Sequence, residues 1–420
     1  MPALAAERGF SFADPYAIGL AFAGVAVFAA IGALSHQRER AFSASLIYLV
    51  LGLAAATIID LLGVRWVDPL AEPETIEHLA ELALIVALFG TGLKLETALD
   101  PRIRGPVVRL LCVVMPLTIA AVALFANVVM GLSLGAAIIL GATLAPTDPV
   151  LAGDVGVGPP GDEDEREPNI ALTVEAGLND GLAFPFVFLG AYAVVEGGTG
   201  WLWEWLAADV LYAVVVGIAL GAAGGHLIAA SIVRLRERRL MIEALDCLVA
   251  IAAVLLVYGL TEVAGAYGFL AAFAAGVAFR NYEHGHEMNR KVHDGAEVVE
   301  KFCELGLILL LGSLVTVSGL QEVAWGGLLL VVLLLLVIRP AATAIAFAGS
   351  RLSGGERAFV GWFGVRGVGS LYYVAVALGL GILPADEARS LFWAVAACIV
   401  ASVVVHGVTA APLSRRLLTR

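Results

Sequence analysis

Long apolar runs, interrupted by short polar stretches, follow one another along the whole chain. A helix needs about 20 mostly apolar residues to cross the hydrocarbon core of a bilayer. Helices are predicted rather than barrel strands because the runs are too long for strands and a lipid-exposed backbone must satisfy its own hydrogen bonds. The pattern predicts an all-α integral membrane protein with about thirteen transmembrane segments, at 16–35, 44–64, 79–98, 107–131, 133–153, 170–195, 207–231, 242–260, 263–281, 301–320, 325–349, 357–381 and 389–411.

The start of the third segment is repeated at the start of the tenth. Residues 74–88 align without gaps to residues 297–311, and seven of the fifteen positions are identical, three of them glutamates. The copies are seven segments apart, an odd number, so they cross the membrane in opposite directions. Secondary transporters place a substrate site where the broken helices of such inverted repeats meet. We therefore predict one transporter unit over 1–420, with a first repeat (16–195), a linking helix (207–231) and an inverted second repeat (242–411).

The fifth and twelfth segments correspond in this repeat, and both contain residues that interrupt helices. In the fifth, Pro146 and Pro149 flank Thr147 and Asp148. In the twelfth, four glycines surround Arg366. Proline removes a backbone donor and glycine permits non-helical turns, so we predict two crossed, broken helices. We expect Asp148 mainly to cap the second half of the fifth segment, and Thr147 to be the better ion ligand.

Four ionisable side chains lie deep inside predicted segments: Glu175, Asp180, Arg339 and Arg366. An unpaired charge at that depth costs about 2.5–3.5 kcal/mol on insertion scales, so each needs a partner or a task. The two positive and two negative charges could form a fully neutralised network with no role in transport. Against this, Glu175 and Asp180 point about 140° apart on a helix and cannot easily share one arginine. We expect Glu175 to pair with Arg366 or Arg339, Arg366 also to neutralise carbonyl ends of the twelfth segment, and Asp180 to face water.

A carboxylate that stands alone near the membrane midplane is a cation site. Asp180 could hold one proton or one monovalent cation, but not both, because each neutralises the same charge. Competition for this carboxylate, combined with alternating access, predicts electroneutral exchange of one cation for one proton.

Composition and charge narrow the classes of protein that remain. Of the 420 residues, 60% are hydrophobic and 15% charged, and the net charge of −12 excludes the basic surface of a nucleic-acid binder. If the thirteen segments alternate, twenty of the 25 Lys and Arg residues fall on one face and three on the other. This asymmetry predicts a cell-membrane protein with its N-terminus outside and its C-terminus in the cytoplasm. The four cysteines show no disulfide or zinc spacing, and no cofactor is predicted.

The motifs resemble, in their order, those of the monovalent cation/proton antiporter-1 family, the NhaP-like sodium/proton antiporters. They are APTDP in the fifth segment, EAGLND in the sixth, an Arg-Pro pair in the eleventh and GVRGVGS in the twelfth. The resemblance covers essentially the whole chain. It implies a homodimer in membrane lipid, in which a core domain carrying the crossed helices moves against a dimerisation domain. The substrates would be H⁺ and Na⁺, or Li⁺ or K⁺ in place of Na⁺.

The resemblance also implies roles for individual residues. Those assigned to the ion are Asp180 as the binding and proton-exchanging carboxylate, Asn179 beside it, and Thr147 and Asp148 from the broken helix. Glu175 and Arg366 would form a structural ion pair. Many relatives have a serine where this chain has Ala176, which leaves the choice among Na⁺, Li⁺ and K⁺ open. Glu81, near the outer end of the third segment, either lines the ion path or belongs to the scaffold.

Two alternatives accompany this interpretation. The first is a K⁺/H⁺ antiporter on the same fold, which the sequence cannot separate from a Na⁺/H⁺ antiporter. The second is an intramembrane aspartic protease in which Asp148 and Asp180 share a proton. Such proteases carry a GxGD motif, and neither aspartate has that context, so a transporter is favoured over an enzyme.

Overall fold

The computed structural model describes residues 24–25, 28, 44–61, 69–95, 101–148, 166–238, 246–282, 288–314 and 322–418. Over these ranges the chain forms helices joined by short connections, and no strand. The helices are α1 (Ala44–Leu61), α2 (Pro73–Lys94), α3 (Pro101–Val128), α4 (Leu134–Leu144), α5 (Glu167–Val195), α6 (Leu202–Glu237), α7 (Asp246–Val263), α8 (Gly268–Tyr282), α9 (Met288–Leu314), α10 (Trp325–Ala346), α11 (Gly354–Trp362), α12 (Val368–Gly379) and α13 (Ala385–Leu418).

The all-helical membrane architecture predicted from the apolar runs is confirmed. Each predicted segment from the second to the thirteenth contains a helix, and the first, 16–35, lies almost wholly outside the described residues. Six of the described helices, α2, α3, α5, α6, α10 and the stretch of α13 up to Ala410, are long and apolar enough to cross a bilayer. The chain is therefore a multi-pass membrane protein.

The fifth and twelfth segments are both interrupted where proline or glycine clusters in the sequence. α4 ends at Leu144, and the backbone from 145 to 148 is not helical. The twelfth segment is split into α11 and α12, with a non-helical stretch at 363–367 between them. Pro149 and the second half of the fifth segment lie outside the described residues, so the crossing of the two segments stays a prediction.

A second feature recurs between the two halves of the chain. α3 contains a widened π turn at Leu110–Val114, just before Pro116, and α10 contains one at Leu334–Ile338, just before Pro340. Proline cannot donate a backbone hydrogen bond and clashes with the carbonyl four residues earlier, so it breaks the regular α-helical pattern in the turn that precedes it. The two turns are 224 residues apart, against 223 for the matched glutamates. A third π turn, at Leu206–Tyr212 of α6, has no such counterpart, and the inverted repeat stays a prediction.

Close helix packing around α8 joins the site-bearing helices to the rest of the fold. α8 packs against α2, α5 and α6. Gly221 and Gly225 of α6 face α8 backbone so closely that an added Cβ would lie 2.3 and 2.2 Å from its carbonyl oxygens. Gly177 and Gly181 of α5 face side chains of α8 at 2.2 and 2.4 Å by the same measure. The two glycines of α5 therefore let large side chains of α8 pack closely against the α5 backbone.

Candidate functional site

The interruptions of the fifth and twelfth segments lie against each other. The backbone N–H of Asp148 donates to the carbonyl oxygen of Val365 at 2.8 Å. One turn away, the Ser370 hydroxyl donates to the carbonyl oxygen of Thr143 at 2.8 Å. Thr147 and Asp148 are both buried, with 2% of their surface exposed. The two breaks therefore form one buried centre.

Asp148 caps a helix, but not the helix expected from its sequence context. Its carboxylate accepts a hydrogen bond from the backbone N–H of Val368, the first residue of α12. The first N–H groups of a helix have no partner within the helix, and a carboxylate there also interacts favourably with the helix dipole. The expected cap on the second half of the fifth segment involves residues outside the described ranges. The observed cap crosses from the fifth segment to the twelfth.

Arg366 returns the same kind of contact in the opposite direction. Its Nε donates to the carbonyl oxygen of Leu144, the last residue of α4, at 2.9 Å. Its Nη1 donates to the carbonyl oxygen of Gly364, within the break of the twelfth segment. A guanidinium at a helix C-terminus satisfies an unpaired carbonyl and offsets the negative end of the dipole. Each broken segment thus supplies the charge that stabilises the helix end of the other.

Glu175 of α5 forms its ion pair with Arg339 of α10. The two guanidinium nitrogens Nη1 and Nη2 donate to Oε1 and Oε2 at 2.7 and 2.8 Å, and both side chains are at most 2% exposed. The pair that the family resemblance implied, Glu175 with Arg366, is therefore not the one formed. Arg366 is instead held by backbone carbonyls at the break, which leaves Arg339 to occupy both carboxylate oxygens.

Asn179 connects the sixth segment to the fifth. Its Nδ2 donates to the Thr147 hydroxyl oxygen at 2.8 Å. Its Oδ1 is buried and accepts no hydrogen bond from the described part of the chain. Ala176, one turn earlier, is also buried and brings no oxygen. The residue next to Asp180 in the chain is therefore in direct contact with the break of the fifth segment.

Asp180 is fully buried and differs from Glu175 and Asp148 in having no hydrogen-bond donor to its carboxylate among the described residues. Its surface exposure is 0%, and neither Oδ1 nor Oδ2 has a hydrogen-bond donor among the described residues. Its carboxylate lies against Gly369 in the first turn of α12, where an added Cβ would be 2.6 Å from Oδ1. A buried carboxylate without a partner carries a large free-energy cost unless it binds a proton or a cation.

Aromatic side chains cover one side of Asp180. The Tyr373 hydroxyl donates to the backbone carbonyl of Asp180, and the Tyr373 ring packs on Phe184 with centroids 5.1 Å apart. Tyr372 packs on Phe269 of α8 at 4.9 Å. The expectation that Asp180 faces water is therefore not met in this conformation, because close packing of rings and of α5 on α8 encloses it.

Glu81 lies near this aromatic cluster and not beside Asp180. Its Oε1 accepts a hydrogen bond from the Tyr258 hydroxyl, which joins α2 to α7. The Tyr258 ring in turn lies 6.0 Å from that of Phe269. A chain of aromatic contacts through Tyr372 then leads to the rings next to Asp180. Glu81 is thus connected to the centre through packed rings.

The charges gathered at this centre do not cancel. The buried carboxylates are Glu175, Asp148 and Asp180, and the buried guanidiniums are those of Arg339 and Arg366. With all five ionised, three negative charges face two positive ones. One proton or one monovalent cation restores neutrality. Of the three carboxylates, Asp180 is the one that has no hydrogen-bond donor among the described residues.

Other polar residues of the centre were missed from the sequence. Ser402 of α13 accepts the backbone N–H of Arg366 at 2.8 Å, and His406 Nε2 lies 3.0 Å from the carbonyl oxygen of Trp362, where α11 ends. Both residues lie in the apolar part of α13. The rarity of a histidine in such a stretch is a sequence signal for His406, and Ser402 has no comparable signal. Tyr373 and Gly369 belong to the twelfth segment, but nothing in their spacing indicates contact with Asp180.

The chain is similar in sequence to a described protein family and to several antiporters. The sequence profile of the family described as "Sodium/hydrogen exchanger, transmembrane" matches residues 17–416. The Na⁺/H⁺ antiporter of Saccharomyces cerevisiae is 25% identical over 441 aligned positions, covering 95% of this chain and 44% of that protein. The K⁺/H⁺ antiporter NhaP of Alkalimonas amylolytica is 25% identical, covering 89% of this chain and 62% of that protein.

The fold also matches a solved transporter structure. The sodium proton antiporter MjNhaP1 from Methanocaldococcus jannaschii at pH 8 superposes with a TM-score of 0.71 at 19% identity, covering 96% of this chain and 100% of that one. At this identity the match shows the fold. The chain spans 41–46% of the length of three fungal antiporters that it matches.

Proposed function

Because this chain belongs to the sodium/hydrogen exchanger family, whose members are transporters rather than enzymes, we propose that it exchanges a monovalent cation for H⁺ across the membrane. The exchange would be one for one and electroneutral, with both ions competing for the Asp180 carboxylate. The observation that carries the proposal is the state of the two buried acidic residues of α5. Glu175 is fully occupied by Arg339, whereas Asp180 is buried with no donor among the described residues.

The charge count supports the stoichiometry. The buried centre carries one net negative charge when all five groups are ionised, and either substrate neutralises it completely. A loaded site is therefore neutral with a proton and neutral with a cation. Moving a neutral site across the low-dielectric interior avoids the free-energy cost of moving a charge. The unloaded site is charged and would have to overcome that cost, so it would cross more slowly. This difference would couple cation movement to proton movement.

Na⁺ is the first candidate for the cation. Asp180 would supply the charge, and the oxygens of Thr147 and Asn179 would complete the coordination, since the side chain of Ala176 contributes none. The K⁺/H⁺ alternative stays in place, because the relatives include proteins named for either ion. Asp148 would act through α12, whose first N–H group it accepts, rather than as a ligand.

Alternating access, a homodimer and a cytoplasmic C-terminus belong to the same proposal. The family resemblance implies the first two, and the asymmetry of Lys and Arg between the two faces supports the third. The protease alternative gains no support, since the Asp148 carboxylate is engaged by a backbone N–H and no proton-sharing contact joins it to Asp180 within the described residues.

Purified protein in vesicles with an imposed pH gradient tests the proposal. Adding Na⁺, Li⁺ or K⁺ separately should dissipate the gradient with at least one cation, and clamping the membrane potential should leave the rate unchanged. Asp180→Asn should abolish exchange. Asp386→Asn is the matched control, because Asp386 is exposed in the first turn of α13, and it should leave exchange intact. Normal exchange by Asp180→Asn would overturn the assignment, and a rate that follows the membrane potential would overturn electroneutrality.

A further inference from the structure

Gly369 stands directly against the Asp180 carboxylate. It is the second residue of α12. A Cβ at this position would lie 2.6 Å from Oδ1 and 3.2 Å from both Oδ2 and Cγ of Asp180, and the carboxylate atoms are the three nearest heavy atoms. Distances below 3.0 Å essentially never occur for real Cβ atoms. An ordinary side chain at 369 would therefore compete with the carboxylate for the same space.

The backbone does not require glycine at this position. The described glycines with positive φ are Gly131, Gly198, Gly265, Gly349 and Gly381, and Gly369 is not among them. Glycine within a helix costs about 1 kcal/mol relative to alanine, although less near a terminus. The residue therefore carries a cost that local conformation does not explain, and the space that it leaves opens on both oxygens of Asp180.

We propose that Gly369 sets the size of the cation that Asp180 can accept, and is thus a specificity-determining residue of the exchanger. This inference rests on the proposed function, in which Asp180 binds the cation. A desolvated cation needs room beside the carboxylate for itself and its other ligands. A proton needs no such room, because it bonds to one oxygen at covalent distance. Gly369 therefore limits cation binding and leaves protonation unaffected.

The proposal predicts an effect that depends on ionic size. Gly369→Ala adds one methyl group against Oδ1, so the largest ion should lose most and the smallest least. In the vesicle assay, the half-saturating concentration should rise most for K⁺, less for Na⁺ and least for Li⁺. We expect about a tenfold rise for the most affected ion, equivalent to about 1.4 kcal/mol. Measured at the same multiple of each protein's half-saturating cation concentration, the pH dependence of the exchange that remains should not change.

Gly361→Ala is the matched control. Gly361 lies in α11, the other half of the same broken segment, and its nearest neighbour to an added Cβ is the Thr343 Cβ at 3.4 Å, an ordinary contact. The same substitution there should leave the three half-saturating concentrations in their original ratio. Equal losses for all three cations in Gly369→Ala, or no loss, would overturn the proposal.

A second variant fills the same space from the opposite side. Asp180→Glu lengthens the acidic side chain by one methylene towards Gly369 and should produce the same order of losses, even if Gly369→Ala does not fold. Folded Asp180→Glu protein that loses K⁺, Na⁺ and Li⁺ exchange equally would count against a size limit. Failure of the proposed function gives a different result, because exchange would then survive in Asp180→Asn.

Discussion

Breaking the Glu175–Arg339 pair from one side should cost more stability than breaking an exposed ion pair of the same chain. Both guanidinium nitrogens donate to the carboxylate at 2.7 and 2.8 Å, and both residues are at least 98% buried. Arg339→Gln would leave a buried carboxylate without its cation. Removing one partner of such a pair costs about 3–5 kcal/mol. We therefore expect the free energy of unfolding of Arg339→Gln to fall by about 3 kcal/mol or more.

An exposed ion pair in the same chain provides the comparison. Arg389 and Glu322 approach to 3.5 Å, with side chains 57% and 47% exposed. Water and salt screen such a pair, which is worth about 0.2–1 kcal/mol. Arg389→Gln should therefore lower the free energy of unfolding by less than about 1 kcal/mol. Titration with SDS in mixed micelles, followed by tryptophan fluorescence, measures both variants under the same conditions.

The double variant separates a lost pair from a lost side chain. Glu175→Gln combined with Arg339→Gln leaves no unpaired charge at this point, so its destabilisation should be smaller than the sum of the two single losses. Coupling between contacting residues is typically about 0.5–3 kcal/mol, and we expect the upper part of that range. Additive losses would refute the reasoning. A loss in Arg339→Gln as small as that in Arg389→Gln would show that another group, such as Arg366, takes over the carboxylate.

Two further predictions concern the contacts that hold the centre in place. Asp148→Ala removes the acceptor for the first N–H of α12 and should lower the free energy of unfolding by about 1–2 kcal/mol. The maximal exchange rate in vesicles should also fall. An unchanged rate would show that the cap has no part in transport. Tyr258→Phe keeps the ring but removes the hydrogen bond to Glu81, which should cost about 1 kcal/mol and leave the half-saturating cation concentration unchanged if Glu81 belongs to the scaffold. A shift in that concentration would place Glu81 on the ion path instead.

The helices of this fold could be predicted because each membrane-spanning helix is marked by an apolar run within one short window of the sequence. A run long enough to cross the bilayer is visible in one window of sequence, and proline and glycine mark interruptions through their own backbone chemistry. The break after Leu144 and the break around Arg366 both fall where those residues cluster. These features depend on neighbours in the chain, which the sequence displays directly.

The partners of the charged residues could not be predicted because they depend on which helix faces meet. Glu175 and Arg339 are 164 residues apart, and Arg366 had an equal claim on sequence grounds. The pairing depends on the break of the fifth segment, because this break places the Leu144 carbonyl within hydrogen-bond distance of Arg366. Arg339 is then the arginine that pairs with Glu175. The enclosure of Asp180 was missed for the same reason, because its aromatic neighbours come from α5, α8 and α12.

The contacts between the breaks constrain how the site could move. Asp148 of the fifth segment caps α12, and Arg366 of the twelfth segment neutralises the end of α4. Sliding one segment past the other would strip a buried charge from its helix end on both sides at once, and each loss costs several kcal/mol. The two segments should therefore move as one body, carrying Asp180, which α5 ties to them through Asn179 and Thr147. Under the proposed alternating access, relative movement would then fall to the surface where α5 meets α8, where glycines of α5 face side chains of α8.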